Sequence, residues 1–256
     1  MPYILTQAGD PTERERLALL QKYYDRKTIS KLIDFGVASG WHCYDIGAGA
    51  GSIAQWLAER VAPDGYVVAL DLDLTLLEPL ASETLIVRRH DIRFDDLPES
   101  VDLINARLLL EHLPDHSSVL RRMIRALRPG GWILLTDTDF RTVRLKEPDA
   151  AFDRIASAFA DATYAAGWNM QLGPQFAPML EDSGLINVGA ESWETYGRKD
   201  DHTALLAMTY RRLREALLAQ GAHQNDVDRF QKSIEDGDVG IFSPTSWMAW
   251  GRRSLT

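Results

Sequence analysis

Short apolar runs alternate with segments in which apolar residues recur every three or four positions along the first half of the chain. The short runs predict buried strands, and the recurring pattern predicts helices between them. The strands are expected at residues 41–46, 66–70, 86–90, 101–106 and 132–136. This alternation is typical of a parallel sheet with helices on both faces. We therefore predict an α/β fold with a doubly wound, mostly parallel sheet.

The pattern changes after residue 140, where helices become more frequent than strands. We predict helices over residues 148–166, 174–182, 202–220 and 225–235, and strands over 185–196 and 245–251. The two late strands complete a seven-stranded sheet, and the added helices cover its edge as a cap.

This reading predicts one domain over residues 1–256. An N-terminal helical cap occupies residues 1–34, and its helix is expected to start in the run DPTE at residues 10–13. The remaining parts are a cofactor-binding half at 35–140, a lid insertion at 141–173, and a sheet-completing part at 174–256 with a helical insertion at 202–235.

Composition narrows the possible partners. The chain has 256 residues, with 28 Lys and Arg against 37 Asp and Glu, so its net charge is −9. This balance argues against nucleic acid or an anionic membrane surface as the main partner. The single cysteine, Cys43, excludes an internal disulfide and a cysteine-based zinc site. With no signal-like start and no apolar run of membrane-spanning length, a cytoplasmic location is expected, and the oligomeric state is left open.

A glycine-rich loop follows the first predicted strand, in the run DIGAGAG at residues 45–51. Gly47, Gly49 and Gly51 would let the backbone approach a ligand closely, at a helix N-terminus with free N–H groups. Asp45 precedes the first glycine, where a dinucleotide has little use for a carboxylate but an ammonium group would be bound well.

Further carboxylates follow the next two strands. Asp71 is placed to accept hydrogen bonds from ribose hydroxyls, and Asp91 from an adenine amine. Together with Asp45 they describe a nucleoside with a cationic or zwitterionic tail, which S-adenosylmethionine fits better than a dinucleotide. The alternative is that these aspartates only cap loops.

Several runs resemble the motifs of class I S-adenosylmethionine-dependent methyltransferases. They are WHCYDIGAGAGSIAQWLAERVAPDG at 41–65, VVALDLD at 67–73, RRHDI at 88–92, ARLLLEHLPD at 106–115 and LRPGGWILL at 127–135. The chain is similar to bacterial small-molecule methyltransferases of the actinobacterial type, most closely over residues 41–139. The resemblance implies a Rossmann-like fold and S-adenosylmethionine as the cofactor.

The resemblance also assigns cofactor contacts. Asp45 and the three glycines would surround the methionine part, and Asp71 would hold the ribose with Leu72 beside the adenine. Asp91 and Ile92 would flank the base, while the backbone near Ala106 and Arg107 would meet the amino-acid end. One departure is TDTD at residues 136–139, where such sequences often carry EDFD. The acceptor class therefore stays open.

Methyl transfer is an in-line displacement that depends mainly on alignment and exclusion of water, so no fixed catalytic residue is required. The candidates are His112, Asp137 and Asp139, each able to deprotonate or orient an acceptor. Each also has a structural alternative, as a loop-bonding histidine or a loop cap. His112 and His116 have the spacing of a metal pair, but Pro114 interrupts the helix and no third ligand is suggested, so no metal is predicted.

Acceptor contacts are expected from the two caps. They are Tyr23 and Tyr24 in the N-terminal helix, and Trp168, Asn169 and Gln171 in the lid. The alternative is that these aromatic residues only form the core of the added helices.

The sequence therefore predicts methyl transfer from S-adenosylmethionine to a small-molecule acceptor, by O-, N- or C-methylation in secondary metabolism. A second hypothesis is a protein of the same fold that binds the cofactor without methylating, as a cyclase or binding partner. An NAD(P)-dependent oxidoreductase is disfavoured by the glycine spacing, by Asp45 and by the absence of a readable Ser/Tyr/Lys cluster.

Overall fold

A computed structural model describes residues 12–98 and 100–255 of the chain. Helix α1 spans Glu13–Asp34. The expected helix start at Asp10 and Pro11 lies outside the described residues, as does the segment examined for a signal peptide.

The strands that follow form two sheets. Their bounds are β1 His42–Ile46, β2 Tyr66–Asp71, β3 Leu85–Arg89, β4 Val101–Arg107, β5 Leu127–Asp139, β6 Arg144–Leu145, β7 Ile186–Trp193, β8 Tyr196–Gly197, β9 Ile241–Phe242 and β10 Thr245–Arg252. The large sheet has seven strands in the order β3-β2-β1-β4-β5-β10-β7. Strands β1 to β5 pair in parallel, and β10 is antiparallel to both of its neighbours. The predicted seven-stranded, mostly parallel α/β fold is confirmed.

Helices connect and cover these strands. Their bounds are α2 Ser52–Val61, α3 His116–Ala126, α4 Ala150–Ala165, α5 Phe176–Asp182, α6 Asp201–Ala219 and α7 Gln224–Asp236. Short 3-10 turns lie at Glu78–Leu80, Leu110–His112, Phe140–Thr142 and Gly173–Gln175. No helix among the described residues is long and apolar enough to cross a membrane.

The fifth strand differs most from its prediction. It was expected at 132–136, but it runs from Leu127 to Asp139. The preceding helix ends at Ala126, ahead of Pro129 and Gly130, and pairing with β4 already begins at Leu127. At its other end, pairing with β10 carries the strand to Asp139.

The core of the large sheet lies on its two faces. Leu103 and Leu134 pack in one apolar cluster, and their neighbours Ile104 and Leu135 pack in another. Successive side chains of a strand point to opposite faces, so unbroken apolar runs are expected where helices cover both sides. This burial leaves the carboxyl ends of the parallel strands as the edge where a site can form.

A separate apolar cluster holds the cap together. Phe159 of α4, Tyr210 of α6 and Phe230 of α7 make ring contacts within it. The small sheet, in the order β6-β9-β8, adjoins this cluster and was not predicted, because each of its strands is only two residues long. The division into one domain with caps stays a prediction.

Candidate active site

The glycine loop turns the chain from β1 into α2. Gly47, Gly49 and Gly51 have φ values of 72°, 58° and 80°, in the left-handed region that side chains with a Cβ rarely adopt. At Gly51 a Cβ would also lie 2.8 Å from Leu77 Cδ2. The N–H groups of Gly47 and Ala48 donate to the carbonyl oxygen of Leu70, so the loop is fixed to the end of β2.

Asp45 lies directly before this loop and is buried. Its Oδ1 accepts a hydrogen bond of 2.7 Å from Nδ2 of Asn105, the residue opposite it on β4. Burial raises the pKa of Asp45 to about 6, although the bond from Asn105 and the charge of Arg107 oppose this shift. A buried carboxylate of this kind is stabilised by a cationic partner, which fits the expected ammonium group.

Asp71 lies at the end of the neighbouring strand and contacts the same loop. Its Oδ2 accepts a 2.8 Å hydrogen bond from the N–H of Gly49. Its Oδ1 accepts from the N–H groups of Leu72 and Asp73. Burial raises the pKa of Asp71, and these three backbone bonds oppose the rise. Two of the three predicted strand-end carboxylates therefore lie at the glycine loop.

The other expected base-flanking residues have different surroundings. Asp91 forms an ion pair with Arg93, and the hydrogen bond from that guanidinium lowers the pKa of Asp91. Ile92 is buried in the apolar cluster beneath the sheet, while Leu72 is exposed. No hydrogen bond within 12–98 and 100–255 joins Asp91 to the glycine loop. Their contacts with an adenine stay a prediction.

Helix α1 crosses over the glycine loop. Asp25 Oδ1 accepts a 3.1 Å hydrogen bond from the Ser52 hydroxyl and lies 2.8 Å from Nη1 of Arg107. Leu17 of the same helix lies 3.3 Å from the position that a Cβ on Gly49 would take. Strand β4 therefore ends, at Ala106 and Arg107, next to helix α1. Asp25 was missed in the sequence, because nothing in a helical pattern shows which acid faces a distant loop.

A cavity lies beside this loop, between α1, the carboxyl ends of β4 and β5, and the cap. Its aromatic lining is Tyr23, Tyr24, Phe140 and Trp168. Tyr23, Tyr24 and Trp168 therefore line one cavity, and their contacts with an acceptor stay a prediction.

Asn169 and Gln171 are not among the residues that line the cavity. The N–H of Asn169 donates to the carbonyl oxygen of Glu111, and Asn169 Oδ1 accepts from the N–H of Gln171. These bonds hold the lid loop, and the Gln171 side chain is exposed. The structure therefore does not bring these two residues to the acceptor cavity.

His112 lines the cavity, as expected for a residue that follows the fourth strand. Its ring lies 4.8 Å from the ring of Trp168. Burial, with a smaller effect of the Arg16 charge, lowers the pKa of His112 to about 3. The imidazole is therefore neutral at neutral pH and a weak base.

Asp137 and Asp139 do not line the cavity. Asp137 is buried, and its two oxygens accept hydrogen bonds from the N–H groups of Leu109 and Glu111. Asp139 binds Arg141 through both oxygens and caps the following turn. The structural alternatives for both residues account for all of these contacts, so they are weaker catalytic candidates than their position in the sequence indicated.

Glu111 is a cavity carboxylate that was not among the site residues predicted from the sequence. It is 2% exposed, and its Oε2 accepts hydrogen bonds from the N–H and the hydroxyl of Thr138, at 3.0 and 2.7 Å. Glu111 lies beside His112 in the same motif, and like the other candidate acids it follows the end of a strand. That position in the sequence could have identified Glu111 as a site residue.

No group of three or more His, Cys, Asp and Glu side chains suited to a metal is found among the residues that the structure describes. His116, which has the spacing of a metal pair with His112 but was not predicted to bind a metal, has its Nδ1 3.3 Å from the carbonyl oxygen of Leu113.

The strand order, the glycine loop and the two carboxylates at adjacent strand ends define the class I methyltransferase fold. Residues 44–135 match a family described as methyltransferase domain. This segment of the chain is therefore similar to methyltransferase domains, and the family resemblance is confirmed over it.

Two known proteins with sequences similar to this chain are named methyltransferases. Methyltransferase str2 of Strobilurus tenacellus is 34% identical over 143 residues, covering 54% of this chain and 50% of that protein. Demethylmenaquinone methyltransferase of Staphylococcus aureus is 26% identical and covers 66% of this chain and 76% of that protein. The chain thus spans about half the length of the first of these relatives.

Among solved structures, a putative methyltransferase of Bacillus halodurans C-125 has a TM-score of 0.57 and 20% identity. The match covers 88% of this chain and 98% of that protein. It shows the same fold.

Proposed function

We propose that this protein transfers a methyl group from S-adenosylmethionine to a small-molecule acceptor. The observation that carries this proposal is that the segment after β4 contacts the glycine loop through one residue and lines the cavity through its neighbours. Leu109 lies 3.2 Å from the position of a Cβ on Gly47, while its neighbour Leu108 and the nearby Glu111 line the cavity. A cofactor on the loop would therefore meet an acceptor in the cavity.

The residues at the loop fit this cofactor. Asp45 would bind the ammonium group, and Asp71 would accept from the ribose hydroxyls, since carboxylates form strong charge-assisted hydrogen bonds. The glycine N–H groups and the start of α2 would lie against the methionine part. Leu72, Asp91 and Ile92 would complete the adenine side, and the backbone at Ala106 and Arg107 the amino-acid side.

The bound cofactor would supply an activated methyl carbon, and the protein would supply alignment and a dry site. The aromatic rings of Tyr24, Phe140 and Trp168 would hold an acceptor and exclude water. Helix α1, fixed by Asp25, would close the site from above.

The name of the similar demethylmenaquinone methyltransferase supports a small-molecule acceptor for this chain as well. A role in secondary metabolism is part of the same proposal. The net charge of −9 supports a role without nucleic acid. A cytoplasmic protein of one domain is part of the same proposal.

Calorimetry with S-adenosylmethionine, S-adenosylhomocysteine and NAD tests the cofactor. We expect the first two to bind and NAD not to bind; binding of NAD alone would overturn the proposal. Asp71→Ala should weaken binding by about 1–3 kcal/mol, because it removes charge-assisted hydrogen bonds. Asp64→Ala, at an exposed aspartate in the turn before β2, is the matched control.

Transfer itself separates methylation from the hypothesis of a cofactor-binding protein that does not methylate. Methyl-tritiated S-adenosylmethionine is incubated with the protein and an extract of its native host. Label in a small organic product supports the proposal. Cofactor binding without any labelled product supports the alternative.

A further inference from the structure

Glu111 is the one carboxylate among the described residues that line the cavity. It lies in the 3-10 turn that follows β4, and the N–H of Glu111 donates to Asp137. Its carbonyl oxygen accepts from Asn169. Hydrogen bonds to Asp137 of β5 and to Asn169 of the lid therefore fix this turn. They give the side chain of Glu111 a defined position in the cavity wall.

The two carboxylate oxygens of Glu111 have different surroundings. Oε2 accepts both hydrogen bonds from Thr138. Oε1 lies 3.4 Å from Nε2 of His112. The side chain of Trp168 also forms a hydrogen bond with this carboxylate. A carboxylate has about four acceptor sites, so Oε1 keeps capacity to accept a hydrogen bond from a ligand.

The surroundings also set the charge of this carboxylate. Burial raises the pKa of Glu111 to about 7, and the hydrogen bonds from Thr138 and Trp168 oppose the rise. The ionisable groups around it are Asp137 from β5, His112 in the same turn, Arg16, Tyr23 and Tyr24 from α1, and His202 from α6. Arg16 shares the carboxylate of Glu13 with Arg212, so a positive charge remains on this side of the cavity. A base of this strength is matched to proton transfer near neutral pH.

We infer that Glu111 is the proton acceptor of the methyl transfer, and that the acceptor is a neutral, weakly acidic hydroxyl on a flat apolar scaffold. This inference rests on the proposed function. The O–H proton passes to the Glu111 carboxylate, and the oxygen forms a bond to the methyl carbon. The bond from that carbon to sulfur breaks, and its electron pair stays on sulfur, leaving S-adenosylhomocysteine. The proton then leaves Glu111 for water after product release.

The lining of the cavity favours this class of acceptor. Phe140, Trp168 and Tyr24 offer faces and edges of aromatic rings to a flat apolar body. An ionised Glu111 would repel a carboxylate acceptor in this buried position. A neutral phenol or enol meets both conditions, since it donates to the carboxylate and brings no charge of its own.

The probe is 2-naphthol, a flat phenol that stays un-ionised near neutral pH, with 2-naphthoate as the charged comparison. Wild-type protein with S-adenosylmethionine should convert 2-naphthol to 2-methoxynaphthalene and leave 2-naphthoate unmethylated. The rate should fall as the pH drops below about 7, because Glu111 becomes protonated. If the protein binds S-adenosylmethionine but methylates 2-naphthol at no pH, the acceptor class is wrong.

Glu111→Gln tests the base. It should lower kcat by about 100-fold or more, with cofactor affinity unchanged and KM within about threefold. Glu215→Gln, at an exposed glutamate on α6, is the control for loss of charge. Thr138→Val removes one hydrogen bond to the ionised form, so the acid limb of the pH profile should move to higher pH. A Glu111→Gln variant that keeps its kcat and its acid limb overturns the inference.

These outcomes separate the inference from the proposed function. Failure of S-adenosylmethionine to bind the wild-type protein counts against the proposed function. Binding and transfer that are equal in Glu111→Gln and wild type count against the inference alone.

Discussion

Asp25 of α1 and Arg107 at the end of β4 form a partly buried ion pair, with 2.8 Å between Oδ1 and Nη1. The same Asp25 oxygen accepts from Ser52 at the start of α2. One side chain thus joins the N-terminal helix to the two elements that flank the glycine loop. The guanidinium of Arg107 also lies 5.6 Å from the ring of Tyr24.

Asp25→Asn should weaken the closure of α1 over the glycine loop. A partly exposed pair of this kind contributes about 1 kcal/mol at most, so S-adenosylmethionine affinity should fall about fivefold in calorimetry. Asp201→Asn is the matched control, because Asp201 pairs with Lys22 of α1 but touches neither Ser52 nor Arg107. Equal losses of affinity in both variants would contradict a specific role for Asp25.

Asp45 should make the stability of the cofactor-free protein depend on pH. Its pKa is raised in the folded state to about 6, so between its unfolded value near 4 and pH 6 the folded protein binds more protons. Stability therefore falls as the pH rises through this window, by up to about 3 kcal/mol. In Asp45→Asn this fall is absent, so the free energy of unfolding from urea titrations at pH 8 should exceed that of wild type.

Cofactor binding should offset the lower stability of wild type relative to Asp45→Asn. An ammonium group compensates the Asp45 carboxylate, so S-adenosylmethionine should raise the Tm of wild type more than that of Asp45→Asn. Asp64→Asn, at an exposed position, should match wild type in both measurements. A variant that gains stability and still binds the cofactor with wild-type affinity would remove Asp45 from the cofactor site.

Gly51→Ala should destabilise the protein more than Gly36→Ala does. Both glycines have φ near 80°, so each alanine pays about 1–2 kcal/mol for the left-handed conformation. At Gly36 a Cβ meets no atom within 4 Å, whereas at Gly51 it lies 2.8 Å from the fully buried Leu77. The additional loss is about 1–3 kcal/mol, measured by thermal or urea unfolding. Equal losses would show that Leu77 moves aside freely.

Phe159→Ala in the cap tests whether the chain unfolds as one unit. Removal of this fully buried ring should cost about 3–5 kcal/mol. If residues 1–256 form one domain, one unfolding transition shifts, as it does for Leu57→Ala under the large sheet. Loss of hydrogen-exchange protection confined to α4, α6 and α7 would instead show that the cap unfolds separately.

The sequence predicts the sheet well because its central strands are buried on both faces. Runs such as those containing Leu103 and Ile104 have no polar alternation that a helix could mimic, and glycine or proline bounds them. The glycine loop is equally local, since Gly47, Gly49 and Gly51 lie on one turn. These features need no knowledge of distant residues.

The acceptor cavity depends on contacts that sequence patterns do not contain. Asp25 reaches Arg107 across 82 positions, and Tyr24 bonds Ser246 across 222. Asp137 was a reasonable catalytic candidate at a strand end, but whether its oxygens face the cavity or the backbone of Leu109 is decided by the turn after β4. The same turn places Glu111 in the cavity wall.

Helix α1 carries Asp25 over the glycine loop and Tyr23 and Tyr24 into the cavity wall. A displacement of this helix that uncovers one compartment therefore uncovers the other. Under the proposed function, the spent cofactor and the methylated product would leave through the same opening event. If that opening is the slowest step of turnover, kcat would measure the rate at which the single helix α1 moves.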